Sequence, residues 1–304
     1  FNDENHPKNN GYDQSYVYSG GGFYNPKFAP EFNSVGNKRL SEVLTDMSTD
    51  FIRNNKDEPF FLFLSHYDVH VQLDADQHII NKYLKKEKTE NYPCNAVYSA
   101  MIEHLDESVG AVMKSIESEG LYENTIFIFY SDNGGVDNRY DNIPLIADRS
   151  LHNYSDLHPL RFVATSNTPL RSGKGTLYEG GIKAPLIVRW PSKIKKKSKT
   201  KAIVSSVDFY PTFIDIAQGE LPENQIMDGI SIHNIITKNI YNKDREVFTH
   251  YPVYHHDQPM SSLRKGDWKI IQNLVTSEFS LFNLKFDVSE MTDLKFSHPK
   301  KLNS

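Results

Sequence analysis

Two apolar runs unbroken by charge, residues 60–64 and 125–130, and a third at 184–190 set the pattern of this chain. Short runs rich in β-branched and aromatic residues predict strands buried on both faces, as in a parallel sheet. Between them the period changes. Leu40, Val43, Leu44, Met47 and Phe51 form one stripe and predict a helix over 40–54. Val97, Met101, Leu105, Val109, Val112 and Ile116 recur every three or four residues and predict a helix over 96–119, stopped by Gly120. Residues 207–217 read as a further helix with Asp208 near its start, and 77–92 as a short solvated helix with its loop. Residues 1–39, rich in Gly, Asn, Pro and Tyr, read as loop, too aromatic for a simple disordered tail. Residues 136–166 form a long irregular insertion, a length that suggests a functional or mobile loop.

After about residue 245 the texture becomes short alternating segments, at 247–249, 262–264, 268–271 and 280–283, joined by turns such as Lys265-Gly266-Asp267. The pattern therefore predicts an α/β fold: a mostly parallel central sheet flanked by helices over 1–245, and a small C-terminal α+β subdomain with an antiparallel sheet over 246–304.

Composition narrows the function. The 304 residues are 38% hydrophobic and 24% charged, the balance of a soluble globular protein. A net charge of −5 argues against a nucleic-acid partner, and the lysine-rich run at 193–201 reads as a solvated loop. No apolar run reaches the length of a membrane-spanning helix. The single cysteine, Cys94, excludes an internal disulfide and any zinc site built on several thiolates. The start, Phe1-Asn2-Asp3-Glu4-Asn5-His6, has no initiator Met, signal peptide or capped element, so the expectation is a piece of a longer chain.

Candidate chemistry gathers where apolar runs end, since ligands in open α/β sheets collect at the carboxyl ends of strands. The run at 125–130 ends in Ser131-Asp132-Asn133-Gly134-Gly135. Asp132 and Asn133 are adjacent hard oxygen donors suited to Ca²⁺ or Mg²⁺, although the same residues could simply close an Asx turn. The run at 60–64 leads to Ser65-His66-Tyr67-Asp68-Val69-His70. His70 could be a ligand or only a half-buried histidine. Lys174, in Arg171-Ser172-Gly173-Lys174-Gly175, could be an ordinary surface lysine and does not belong to a P-loop. His104, on the long helix, reads as structural.

Taken together and in order, these segments resemble the sulfatase family of the alkaline-phosphatase superfamily. The resemblance runs from about Asn10 to Leu294. It rests on 59–70, on 131–135, on Leu170-Arg171-Ser172-Gly173-Lys174-Gly175-Thr176-Leu177-Tyr178-Glu179-Gly180-Gly181-Ile182, on 207–212 and on 264–269. It implies that Asp132 and Asn133 are ligands of one divalent cation, usually Ca²⁺, that Lys174 grips a sulfate oxygen, and that His70 contacts the sulfate and assists the leaving oxygen. Chemistry agrees: sulfate-ester cleavage builds negative charge on nonbridging oxygens and on the departing alkoxide, where a cation, an ammonium and an acid would converge. The family's nucleophile is a formylglycine made in a Cys/Ser-x-Pro/Ala-x-Arg motif. Cys94, followed by Asn95-Ala96-Val97-Tyr98, offers neither the Pro nor the Arg and reads as a buried small hydrophobe.

The motif, the early Asp-Asp pair of the metal site and a Gly-Lys-Trp-His segment are all expected before residue 1, so the chain as given is expected to be inactive. The family implies a periplasmic or secreted location. The substrate reading is a sulfated carbohydrate, because 140–160 and 250–256 offer rings to stack on sugars and donors for hydroxyls; His250 is a candidate substrate ligand. Two other readings stay open: a phosphomonoesterase or phosphodiesterase of the same superfamily, and a noncatalytic carbohydrate-binding homologue.

Overall fold

The computed structural model describes residues 3–32, 37–137, 143–156 and 158–302. It divides into two compact units, residues 1–90, 94–122 and 143–161 in the first and 91–93, 123–142 and 162–304 in the second.

The first unit is built on helices. Strands β1 (Val17–Gly20) and β2 (Lys27–Ala29) pair antiparallel. Helices α1 (Leu40–Asn54) and α2 (Gln77–Leu84) pack on α3 (Ala96–Ser118), and a single turn, α4, covers Asp148–Leu151. The boundaries of α1 are those its apolar stripe predicts. Its start is closed by Arg39 N donating to Glu42 Oε2 at 2.7 Å, which satisfies an N–H otherwise left without a helical partner. Asn95 Oδ1 accepts from Val97 N and Tyr98 N and so opens α3, while Gly120 (φ +76°) ends it in the left-handed region. The aromatic N-terminal loop is anchored as expected: Phe28 is buried with Leu40 and Val43, and Phe23 and Phe32 pack against them.

In the second unit β3 (Phe127–Tyr130) pairs with β4 (Leu186–Arg189), and α5 (Glu179–Ile182), α6 (Phe209–Ile216) and α7 (His233–Lys238) lie around them in sequence. Strands β5 (Glu246–Tyr251), β6 (Met260–Lys265), β7 (Trp268–Asn273) and β8 (Phe279–Asn283) form an antiparallel meander, before a last turn, α8 (Pro299–Leu302). Gly266, at φ +55°, makes the β6–β7 turn that Lys265-Gly266-Asp267 predicts. One face of the meander carries Met260, Ile271 and Phe282, which bury Leu177 against Tyr178 and Tyr251.

The mixture of helix and sheet is the α/β class expected. Strand direction differs from the expectation of a mostly parallel sheet: every ladder among the described residues is antiparallel, and parallel pairing occurs at the bridge Leu73–Ile146. An unbroken apolar run reports burial, not direction. Residues 60–64 are not a strand here; they alternate exposed and half-buried, with Phe61 and Phe63 outward.

Candidate active site

The end of β3 is bound into the segment that carries Lys174. Beyond Tyr130, Ser131 N donates to Pro185 O at 3.2 Å, and Ser131 Oγ donates to Asn133 O at 3.1 Å. Gly134 N donates to Gly181 O at 2.9 Å, and Lys174 N donates to Gly135 O at 3.0 Å. Asn167 holds both sides: its Oδ1 accepts from Gly135 N, and its Nδ2 donates to Gly135 O and to Ser172 O. A Cβ on Gly134 would lie 1.7 Å from Gly180 O, so this contact between backbones admits only glycine. Nothing but a turn signature marks Asn167 in the sequence.

This arrangement brings Asp132, Asn133 and Lys174 onto one framework. Asp132 is exposed. Asn133 Nδ2 donates to Gly134 O at 2.8 Å, which fixes the amide so that Oδ1 is the atom it can offer a cation. A carboxylate and an amide oxygen side by side fit part of a Ca²⁺ shell, which needs more oxygens than these two. Among the described residues no group of three or more His, Cys, Asp or Glu side chains could hold a metal.

Lys174 itself is half-buried between two glycines. A Cβ on Gly173 would lie 2.3 Å from Asp137 Oδ1, and one on Gly175 would lie 2.6 Å from His255 Nδ1 and 2.7 Å from His256 Cδ2. Burial, then the neighbouring His255 and Lys174, pull the His256 pKa below its ordinary value, with Asp137 opposing them. Burial raises the Asp137 carboxyl.

Behind the lysine a buried charge network ties the segment to the meander. Lys269 Nζ lies 3.0 Å from Glu179 Oε1 and 2.8 Å from Glu290 Oε1, and Arg264 Nη1 reaches Glu179 Oε2 at 3.2 Å. Glu179 N donates to Glu290 Oε2, and Arg171 Nη1 donates to Glu290 O. Asp208 is likewise structural: it is buried and takes a bidentate contact from Arg245 at 2.6 and 2.7 Å.

His250, the candidate substrate ligand, is on the meander. It lies on β5 beside Ser261, whose Oγ is 2.7 Å from His250 Nδ1, and stacks over Phe248. Side chains alternate across a strand, so His250 faces away from the side on which Tyr251 meets Leu177 and Tyr178. The histidines beside the Lys174 segment are His255 and His256. Of the other expected loop, 140–142 and 157 lie outside the described residues; within it Tyr154 is buried, its hydroxyl accepting from Ala96 N.

His70 belongs to the first unit and is exposed. Its Nδ1 lies 2.6 Å from Val71 O, so Nδ1–H donates to that carbonyl. The Tyr67 ring stands 4.9 Å away. Beneath this loop Asp68 and Arg39 form a buried ion pair, and Arg39 Nη1 also donates to Asp74 O. Burial raises the Asp68 carboxyl and Arg39 opposes it. Burial also holds His66 down at about 4, with Ser108 Oγ 3.1 Å from its Nε2. Asp76 N donates to the buried His104, which is structural as expected. Cys94 is half-buried rather than buried, its thiol 3.7 Å from Thr89 O.

Solved structures share this fold across nearly the whole chain. Ps i-CgsB in complex with k-i-k-neocarrahexaose matches with a TM-score of 0.79 and 23% identity, over 99% of this chain and 66% of that one. A phosphonate monoester hydrolase from Silicibacter pomeroyi matches with a TM-score of 0.61 and 17% identity, over 87% of this chain and 57% of that one. The class is thus the alkaline-phosphatase-like α/β fold. Within it, the chain belongs to the sulfatase family: the sulfatase family model matches residues 1–219, and the model for the C-terminal part of N-sulphoglucosamine sulphohydrolase matches 172–302. A sulfatase of Formosa agariphila is 32% identical over 286 residues, covering 87% of this chain and 47% of the relative. An N-acetylgalactosamine-6-O-sulfatase of Bacteroides thetaiotaomicron is 28% identical over 278 residues, covering 86% and 48%. The chain therefore spans about half the length of these curated relatives. No described helix is long and apolar enough to cross a membrane.

Proposed function

We propose that the protein hydrolyses sulfate esters on a carbohydrate, and that it acts in the periplasm or outside the cell. The observation that carries this reading is the backbone hydrogen bond from Lys174 N to Gly135 O, which ties the Lys174 segment to the turn bearing Asp132 and Asn133 in a chain of the sulfatase family. Asp132 and Asn133 would hold one divalent cation, Ca²⁺ by the family's habit, which when bound supplies Lewis-acid stabilisation of charge on sulfate oxygens. Lys174 binds and orients the sulfate. His70 would give a proton to the departing sugar oxygen. A formylglycine would supply the nucleophilic oxygen; no Cys/Ser-x-Pro/Ala-x-Arg motif occurs within these 304 residues. The carbohydrate part of the reading draws support from the N-acetylgalactosamine-6-O-sulfatase relative.

The test is to purify the protein as its source makes it and assay aryl sulfates, monosulfated sugars and the matching phosphate esters, with and without a chelator. Turnover of sulfates, abolished by chelation and by Asp132→Ala, is expected. Faster turnover of phosphate esters would assign a phosphatase of the same fold, and binding of sulfated glycan without turnover would assign a noncatalytic homologue.

A further inference from the structure

The groups on either side of Lys174 do not suit an anion. Asp137, against Gly173, is a carboxylate, and it would repel a sulfate. His256, against Gly175, sits beside a second imidazole, with ring centroids 4.0 Å apart, and beside the Lys174 ammonium. Partial burial, then His255 and the Lys174 ammonium, lower the His256 pKa while Asp137 opposes them, and the imidazole brings two ring nitrogens to the site. His255 is held in turn, its Nδ1 3.2 Å from Tyr251 Oη. A carboxyl on one flank and an imidazole on the other offer acceptor and donor atoms to a hydroxyl group. The glycines at 173 and 175 make this possible, because any side chain there would occupy the space of Asp137 Oδ1 or of the two rings.

We propose that Asp137 and His256, with His255 packed against the latter, form a subsite that reads hydroxyl groups of the sugar ring carrying the sulfate. The proposal rests on the sulfatase reading above and adds specificity to it. Lys174 takes the group common to every sulfate ester, and its two flanks take the part that differs between sugars. Asp137 accepts from a ring hydroxyl, and His256 either donates to a neighbouring hydroxyl oxygen or accepts from it. Asp137 and His256 are half-buried, and a site built to pair with a hydroxyl discriminates against a molecule lacking it, because its own polar groups then lose that partner.

The experiment compares wild type, His256→Ala, His256→Gln and Asp137→Asn. Each is assayed for kcat/KM on 4-nitrophenyl sulfate, on the monosulfates of methyl galactoside and methyl glucoside, and on deoxy analogues of the best of these sugars. The expected result is a fall of about tenfold or more in the ratio of sugar-sulfate to aryl-sulfate kcat/KM for His256→Ala, the loss of roughly one hydrogen bond. His256→Gln, which can still donate and accept, should recover part of the ratio. Removing the hydroxyl that His256 meets should cost the wild type much more than it costs His256→Ala, and removing the one Asp137 meets should cost the wild type more than Asp137→Asn, whose amide oxygen accepts more weakly than a carboxylate. An unchanged ratio, or equal penalties for the deoxy sugar in wild type and variants, would overturn the subsite and leave the sulfatase reading standing. Wild-type protein that turned over neither aryl nor sugar sulfates would overturn that reading, and the subsite with it.

Discussion

Asp132 and Asn133 stand out in the sequence because they follow an apolar run, and Lys174 through the resemblance of residues 170–182; the hydrogen bonds of Gly134, Gly135 and Asn167 join the two segments. The reason for Gly134 was only half legible. A sharp turn suggests a left-handed backbone, whereas the structure requires glycine because Gly180 O would lie 1.7 Å from any Cβ. Contacts between segments distant in sequence leave no local pattern, which is also why Asp137, His255 and His256 could not be grouped with Lys174. The proposed division of labour predicts different substrate dependences. Lys174→Ala should depress kcat/KM on every sulfate ester, and His70→Ala should hurt poor leaving groups most, because an activated phenolate departs without a proton. A series of aryl sulfates of graded leaving-group pKa checks this, and equal slopes in the two variants would contradict it. A second prediction concerns His66. Burial holds it at about 4 instead of 6.5, so between those values the unfolded chain binds a proton that the folded one does not. Stability contributed by His66 is thus complete above pH 6.5 and lost as pH falls towards 4, by about 3 kcal/mol at most. His66→Gln should flatten that part of a thermal-stability profile against pH; an unchanged acid limb would contradict the assignment.

At the scale of elements, periodicity was a sound guide where one face packs on one partner. Helix α1 and the meander strands β5 to β8 fall where the stripe of Leu40 and Val43 and the alternation after residue 245 put them. It failed for 60–64, because apolar content does not reveal whether a neighbouring strand pairs. His250 shows what periodicity leaves open: alternation gives two faces but not which of them meets the Lys174 segment. What fixes that segment to the meander is Lys269, buried between Glu179 and Glu290. Lys269→Met would leave Glu290 buried without its cation and Glu179 paired with Arg264, a loss of about 3–5 kcal/mol. Burial already raises the Glu290 carboxyl above 4.5, and Lys269 opposes that rise, so the variant should raise it further. A raised folded-state pKa means the folded protein binds more protons, so stability falls as pH climbs from about 4.5 towards neutrality. The deficit of Lys269→Met against wild type, measured by denaturant unfolding, should therefore shrink on acidification from pH 7 to 5. A deficit independent of pH would show that lost packing, not charge, accounts for it.

For the whole molecule, the exposed apolar side chains matter more than the balanced composition. Single exposed hydrophobes are ordinary, but Phe61 and Phe63, 53% and 69% exposed, project from the same side of one extended segment. In the second unit Ile187 on β4 is 63% exposed, and among the described residues β3 and β4 form a two-stranded sheet whose outer edges have no ladder. Apolar side chains beside open edges favour pairing between chains. The polypeptide of these 304 residues, expressed by itself, should therefore self-associate, and replacing Phe63 and Ile187 with Lys should shift it towards monomer. It should also give no turnover of 4-nitrophenyl sulfate with added Ca²⁺, since the residues hold no formylglycine motif. Sedimentation and a turnover assay on the same preparation separate the two expectations. A wild-type polypeptide that stayed monomeric at tens of micromolar would contradict the argument from exposed edges. Turnover above that of a His70→Ala control would show that a nucleophile lies within these residues, and it would direct the search to hydroxyl and thiol groups near the Asp132–Lys174 framework.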